Sequence, residues 1–80
     1  MVIKSGNRHD RKYICLGKNI ALYRKRKNMT QAELAEKINI SRTHMSNIEA
    51  PNMITHVSLE VIFDIADVLN IAPDKLFKMD

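Results

Sequence analysis

Apolar positions recur at helical spacing twice between residues 30 and 49, with one interruption. Ala32, Leu34, Ala35 and Ile38 form a narrow apolar face, the pattern of a short amphipathic helix. After Asn39 and Ile40, Met45 and Ile48 point to one side of a second helix, whose other positions, Arg42, Thr43, His44, Ser46 and Asn47, are polar. The ends carry matching signals. Thr30 and Glu33 stand at the Thr-x-x-Glu spacing of a capping box, in which each side chain satisfies the other's backbone NH. Asn39 tolerates the left-handed backbone that a sharp turn needs better than any other residue except glycine. Ser41 restarts the chain as an N-cap. The pattern predicts two short helices joined by a tight turn, the second polar on its outer side.

The remaining periodicity completes an all-α chain. Leu16, Ile20 and Tyr23 share a face and predict a first helix from about Lys12 to Lys27. Pro51 forbids continuation of the third helix, because it lacks an NH and restricts Ala50. Ser58 caps a fourth helix running to Leu69, with Leu59, Ile62, Ala66 and Leu69 as its stripe, Ile65 adjoining, and Glu60, Asp64 and Asp67 as a solvated acidic face. Pro73 opens a last short helix, at a position where its missing NH costs nothing. The expected fold is a compact bundle of five short helices. Residues 1–11 read as a basic N-terminal arm, with Val2 and Ile3 able to dock on the body, and residues 12–80 as one domain. At 80 residues the core is modest.

Charge sharpens this picture because it is unevenly placed. Residues 1–28 hold nine basic residues and one acid, a balance of +8, whereas residues 29–80 hold four basic and eight acidic residues, a balance of −4. A basic first third beside a polar exposed helix supplies phosphate attraction that the helix itself lacks; a solvated charged helix end with a soluble tail is the plainer reading. An exposed helix presented by a short partner fits the major groove of double-stranded DNA. Other chemistries have little to stand on. The one cysteine, Cys15, cannot form an internal disulfide and reads as a small, partly buried apolar residue, and no Cys/His spacing suits zinc. His9, His44 and His56 are scattered over an arm, a helix face and a loop, so no nucleophile has a base with an orienting acid, and an enzyme is not expected. No cofactor, small-molecule ligand or membrane span is indicated, and a cytoplasmic location follows by default.

The stretch Thr30-Gln31-Ala32-Glu33-Leu34-Ala35, with Ile40-Ser41 and Ser46-Asn47-Ile48-Glu49, resembles the phage repressor and Cro-like (XRE-type) helix-turn-helix proteins. The resemblance extends upstream to Leu16-Gly17-Lys18-Asn19-Ile20 with Arg24. Downstream it takes in Ser58-Leu59-Glu60, Ile65-Ala66-Asp67-Val68-Leu69 and Ala72-Pro73-Asp74-Lys75-Leu76-Phe77, so that it covers roughly residues 14–78. It implies a lambda-repressor-like bundle, with the third helix (41–49) reading DNA. The matching positions imply base contacts from Arg42, Thr43, Ser46 and Asn47. Arg42 suits a guanine edge; Asn47 suits adenine, or else a phosphate. Phosphate contacts are implied at Gln31, with Ser41 either facing the backbone or only capping. His44 touches phosphate or a base edge, or has no role. Lys4, Arg8, Arg11 and Lys12 add a mobile basic arm. An ion pair between Arg24 and Glu49 is implied as well. Two departures stand out. Asparagine replaces the usual glycine at positions 39 and 70. The loop Ala50-Pro51-Asn52-Met53-Ile54-Thr55-His56-Val57 is about two residues longer than usual and has no lysine or arginine, leaving Asn52, Thr55 and His56 as its candidate phosphate contacts, or else backbone NH groups.

Apolar residues near the C-terminus exceed what one core face requires. Val61, Phe63, Val68, Ile71, Leu76, Phe77 and Met79 make this surplus, and such area often marks a partner surface. Val61, Val68, Ile71, Leu76, Phe77 and Met79 are therefore the expected homodimer interface, with an unusually wide core as the plainer alternative. The family pairs through this end, which sets two recognition helices about 34 Å apart. A repressor-like regulator of phage, plasmid or mobile-element type is the preferred reading. An antitoxin-like or other protein-interaction module would use the same fold.

Overall fold

The computed structural model describes residues 8–79. Helix α1 spans Asp10–Arg26, α2 Gln31–Lys37, α3 Arg42–Glu49 and α4 Leu59–Leu69, and a 3-10 helix covers Pro73–Phe77. No strand occurs among the described residues. Among the described residues the bundle thus has four α-helices rather than five. The last element has only five residues, its proline brings no donor, and the Lys75 NH bonds the Ala72 carbonyl three residues back. Those are the conditions under which the tighter helix is favoured over an α-turn.

Helix α1 begins two residues earlier than its apolar pattern suggests. The His9 carbonyl accepts from the NH groups of Lys12 and Tyr13, and Asp10 puts an acidic side chain in the first turn, where the helix dipole favours one. Arg11 and Lys12 therefore stand on a helix and not on an arm. Lys4, and the proposed docking of Val2 and Ile3, lie outside the described residues.

Three helices end by the same device. Asn28, Asn39 and Asn70 all have positive φ, between 55° and 61°. After each, a residue donates back across the turn: Met29 to Arg24, Ile40 to Ala35 and Ile71 to Ala66, while the asparagine NH itself bonds Lys25, Glu36 or Asp67. This is the Schellman arrangement, with asparagine in the left-handed site where glycine is commoner. At the starts, Thr30 and Glu33 form the complete capping box, and the Ser41 and Ser58 hydroxyls accept from His44 and Val61 NH.

Twelve buried residues fill one core. Ile20, Leu34, Met45, Ile62, Ile65, Leu69 and Leu76 are its largest fully buried members. Two expected core positions lie outside it. Leu59 is 60 % exposed at the edge of an open groove that it shares with Phe77 and Met79, and Ala32 faces solvent. Leu76 moves the other way: it was expected on a partner surface, yet it is completely buried. Asn19 explains its placement. Its side-chain amide donates to the carbonyls of Leu76 and Lys78 at 2.9 and 2.8 Å, tying the C-terminal segment to α1.

Candidate nucleic-acid interface

Seven- and eight-residue helices are too short to persist on their own propensity, so α2 and α3 depend on what holds them. One hold is steric. Gly17 of α1 lies against the end of α3 so closely that a Cβ there would overlap the Ile48 carbonyl. The other is ionic. Arg24 Nε donates to Glu49 Oε2 and Arg24 Nη2 to Glu49 Oε1, both at 2.8 Å, forming the planar two-point pairing for which the guanidinium is shaped. The third direction of the same group is also used, since Nη1 donates to the Met29 carbonyl at 2.6 Å. Arg24 and Glu49 are only 7 % and 8 % exposed. The hydrogen bond to Glu49 pushes the Arg24 pKa above its ordinary value, with burial acting in the opposite direction. The ion pair implied by the resemblance is therefore present, and it joins α1, the α1–α2 turn and α3 at a single point.

Gln31, the first residue of α2, is drawn into this cluster. Its Nε2 donates to Glu49 Oε1 at 2.9 Å. Gln31 then lines an open cleft of about 260 Å³ together with Arg42, Thr43, Ser46 and Asn47 of α3. The structure thus brings all four expected base-contact residues together with one expected phosphate contact. Arg42, Thr43 and Ser46 are exposed, and Gln31 and Asn47 are half-buried. Ser41 sits at the mouth of α3 with its hydroxyl accepting from the His44 NH, so its capping role is realised and its own proton is left to donate elsewhere. His44 is half-buried and is not among the cleft-lining residues.

The basic N-terminal residues are placed differently. Lys12 Nζ lies 3.1 Å from His9 Nδ1. Lys12 also borders a second, apolar groove of about 320 Å³ with Tyr13, Leu16, Leu59, Phe77 and Met79, away from the cleft. Arg8 and Arg11 are exposed, and Arg8 Nε is 3.5 Å from His9 Nε2. The loop after α3 is fastened at both sides. Thr55 Oγ1 donates to the Asn47 carbonyl at 3.1 Å, and the His56 ring packs on Tyr13 with centroids 4.6 Å apart. Two of the loop's three candidate phosphate contacts thus hold the loop itself. Among the expected dimer residues, Phe77 and Met79 are exposed, whereas Val61, Val68 and Ile71 pack partly against the core.

Sequence reasoning passed over Gly17 and Asn28 as structural determinants. The Asn28-Met29 turn feeds Arg24 its third acceptor, and only the repeated use of asparagine at helix ends could have signalled it.

A short helix that presents its N-terminus beside the polar outer face of a second, with a tight turn between them, defines a helix-turn-helix DNA-binding domain. The chain belongs to the XRE-type helix-turn-helix family of DNA-binding transcription regulators, whose helix-turn-helix model matches residues 20–76. Solved structures agree. The restriction-modification controller protein C.AhdI from Aeromonas hydrophila is 28 % identical, with a TM-score of 0.74 over 81 % of this chain and 96 % of its own. SinR, the master regulator for biofilm formation, known from Bacillus subtilis and solved in complex with DNA, is 32 % identical, with a TM-score of 0.71 over 79 % of this chain and 98 % of its own. The hypothetical transcription factor NHTF from Neisseria, 24 % identical, shares the fold with a TM-score of 0.76 over 98 % of this chain and 87 % of its own. No curated protein matches the sequence. No helix among the described residues is long and apolar enough to cross a membrane, and no group of three or more His, Cys, Asp or Glu residues is placed to hold a metal ion there.

Proposed function

We propose that this chain is a sequence-specific regulator of transcription, repressor-like and of phage, plasmid or mobile-element type, acting in the cytoplasm. Helix α3 enters the major groove. Arg42, Thr43, Ser46 and Asn47 read base edges. Gln31, at the positive N-terminus of α2, holds a phosphate, Ser41 and His44 add further phosphate contacts, and Lys4, Arg8, Arg11 and Lys12 supply longer-range attraction. The observation that carries this reading is the cleft in which Gln31 meets the four polar side chains of α3. SinR, solved on DNA with the same fold, supports it.

The active unit is a homodimer on a palindromic operator. Exposed Phe77 and Met79 supply its contact, with the outer parts of Val61, Val68 and Ile71. The apolar groove bordered by Leu59, Phe77 and Met79 favours one other reading, an antitoxin-like or other protein-interaction module on the same fold. Selection of bound duplexes from a random pool separates the two. A palindromic consensus, with half-sites about one helical turn apart, supports the dimeric regulator. No enrichment, together with a monomer in sedimentation, supports the interaction module.

A further inference from the structure

Glu49 is buried and paired with Arg24, and one of its oxygens is shared. Oε1 accepts both from Arg24 Nη2 and from Gln31 Nε2. A carboxylate paired with arginine can only accept hydrogen bonds. Gln31 is therefore obliged to turn its NH2 end, and not its carbonyl, toward Glu49. The amide loses its freedom to flip, its remaining N–H stays fixed relative to the carboxylate, and the side chain is already ordered where it borders the cleft. We infer that Glu49 is a positioning residue for DNA binding: the Arg24–Glu49 pair, besides joining helices, sets the Gln31 amide in the orientation that donates to the DNA backbone. The inference rests on the DNA-binding reading above and adds to it a residue that itself never reaches DNA.

The chemistry of substitution makes this separable from stability. In Glu49→Leu both acceptor oxygens are gone, so Gln31 Nε2 and Arg24 lose their partner together. The Gln31 side chain is then released and has to be ordered on binding. The cost expected from ordering one such side chain is about threefold to tenfold in affinity. The test is a four-protein cycle, comprising the wild type, Gln31→Ala, Glu49→Leu and the double variant. Each binds both a selected operator duplex and a random-sequence duplex, at a temperature where far-ultraviolet dichroism shows every variant folded. Glu49→Leu is expected to weaken binding about threefold to tenfold when Gln31 is present, on both duplexes alike, and less than about twofold when residue 31 is alanine. Equal losses in the two backgrounds would overturn the positioning role while leaving DNA binding intact. No binding by the wild type to either duplex would take down the DNA reading and this inference with it. Should Glu49→Leu fail to fold, the Gln31 side-chain amide of the free wild type decides by nuclear magnetic resonance. A rigid NH2 group, with one proton protected from solvent exchange, supports the relay. A freely averaging amide with both protons in rapid exchange overturns it.

Discussion

The α2–α3 region and the α4–3-10 region are stabilised by different physics. In the first, two helices of seven and eight residues bury few large side chains, chiefly Leu34, Met45 and Ile48. Polar devices hold them instead: the Thr30–Glu33 capping box, the Ser41 cap, the Schellman turn at Asn39 and the Arg24–Glu49 pair. In the second, an eleven-residue helix contributes Ile62, Ile65, Ala66 and Leu69 to the core and Leu76 closes it from the 3-10 helix, with the Ser58 cap, the Asn70 turn and Asn19 as polar ties beside that larger apolar area. The contrast shows how a small domain keeps a helix face free. Directional bonds at helix ends fix α2 and α3 without covering the outer side of α3, whereas α4 is held by area and so spends its surface on packing.

Breaking the ionic hold gives the largest expected effect. Arg24→Met leaves the Glu49 carboxylate buried without its cation and should cost about 3–5 kcal/mol in urea unfolding. Adding Glu49→Leu should recover most of that loss, because two apolar groups pack where two charges had to be desolvated. A double variant as unstable as Arg24→Met would show that the site cannot repack and that the comparison is drawn too sharply. The apolar region breaks differently, and one helix supplies both test and control. Ile62→Ala, at a position 1 % exposed, should cost about 2–5 kcal/mol. Leu59→Ala, three residues earlier and 60 % exposed, should change stability by no more than about 0.5 kcal/mol. Similar losses at both would place Leu59 in the core after all.

Gly17→Ala sharpens the seam between the regions. Alanine in a helix interior is ordinarily better than glycine by about 1 kcal/mol. Here the added carbon meets the Ile48 backbone, so a net loss of about 1–3 kcal/mol is expected by thermal unfolding, and a gain would mean that α1 and α3 lie farther apart. The smallest effect lies at the capping box. The Thr30 backbone hydrogen bond, followed by that of its hydroxyl, lowers the Glu33 pKa from its ordinary 4.5. A depressed carboxylate stabilises the fold above its unfolded pKa, and that contribution is lost as pH falls through the folded value. Glu33→Gln keeps a capping partner but cannot titrate. The melting-temperature difference between wild type and variant should therefore be constant above about pH 5.5 and shrink below pH 4.5. A difference independent of pH would remove the electrostatic part of the cap.

What was legible in the sequence follows the same division. Caps and turns are local, so Thr30, Ser41, Ser58 and Asn39 could be read directly, while Asn70 came through the family resemblance, and the structure uses each as its chemistry suggests. The Arg24–Glu49 pair spans twenty-five residues, which no periodicity connects, and it was reachable only through family resemblance. Burial near helix ends was the hardest to read. Leu59 and Ala32 fit the helical stripe yet face solvent, and Leu76 looked like surplus surface yet is fully buried, because the first turn of a helix and a segment tied by Asn19 obey tertiary placement rather than spacing. The cleft was legible as a set of residues, but the involvement of Gln31 with Glu49 was not, since it depends on the angle between α2 and α3.

The central claim is that the outer face of α3 reads bases, and Arg42→Ala tests it most directly. Binding is measured to the selected operator and to a random-sequence duplex of equal length at the same salt concentration. The account predicts a loss of about 1–3 kcal/mol on the operator, with preference relaxed at one base pair per half-site and little change on the random duplex. An equal loss on both duplexes would make Arg42 a phosphate contact and contradict the reading of α3 as the helix that carries specificity.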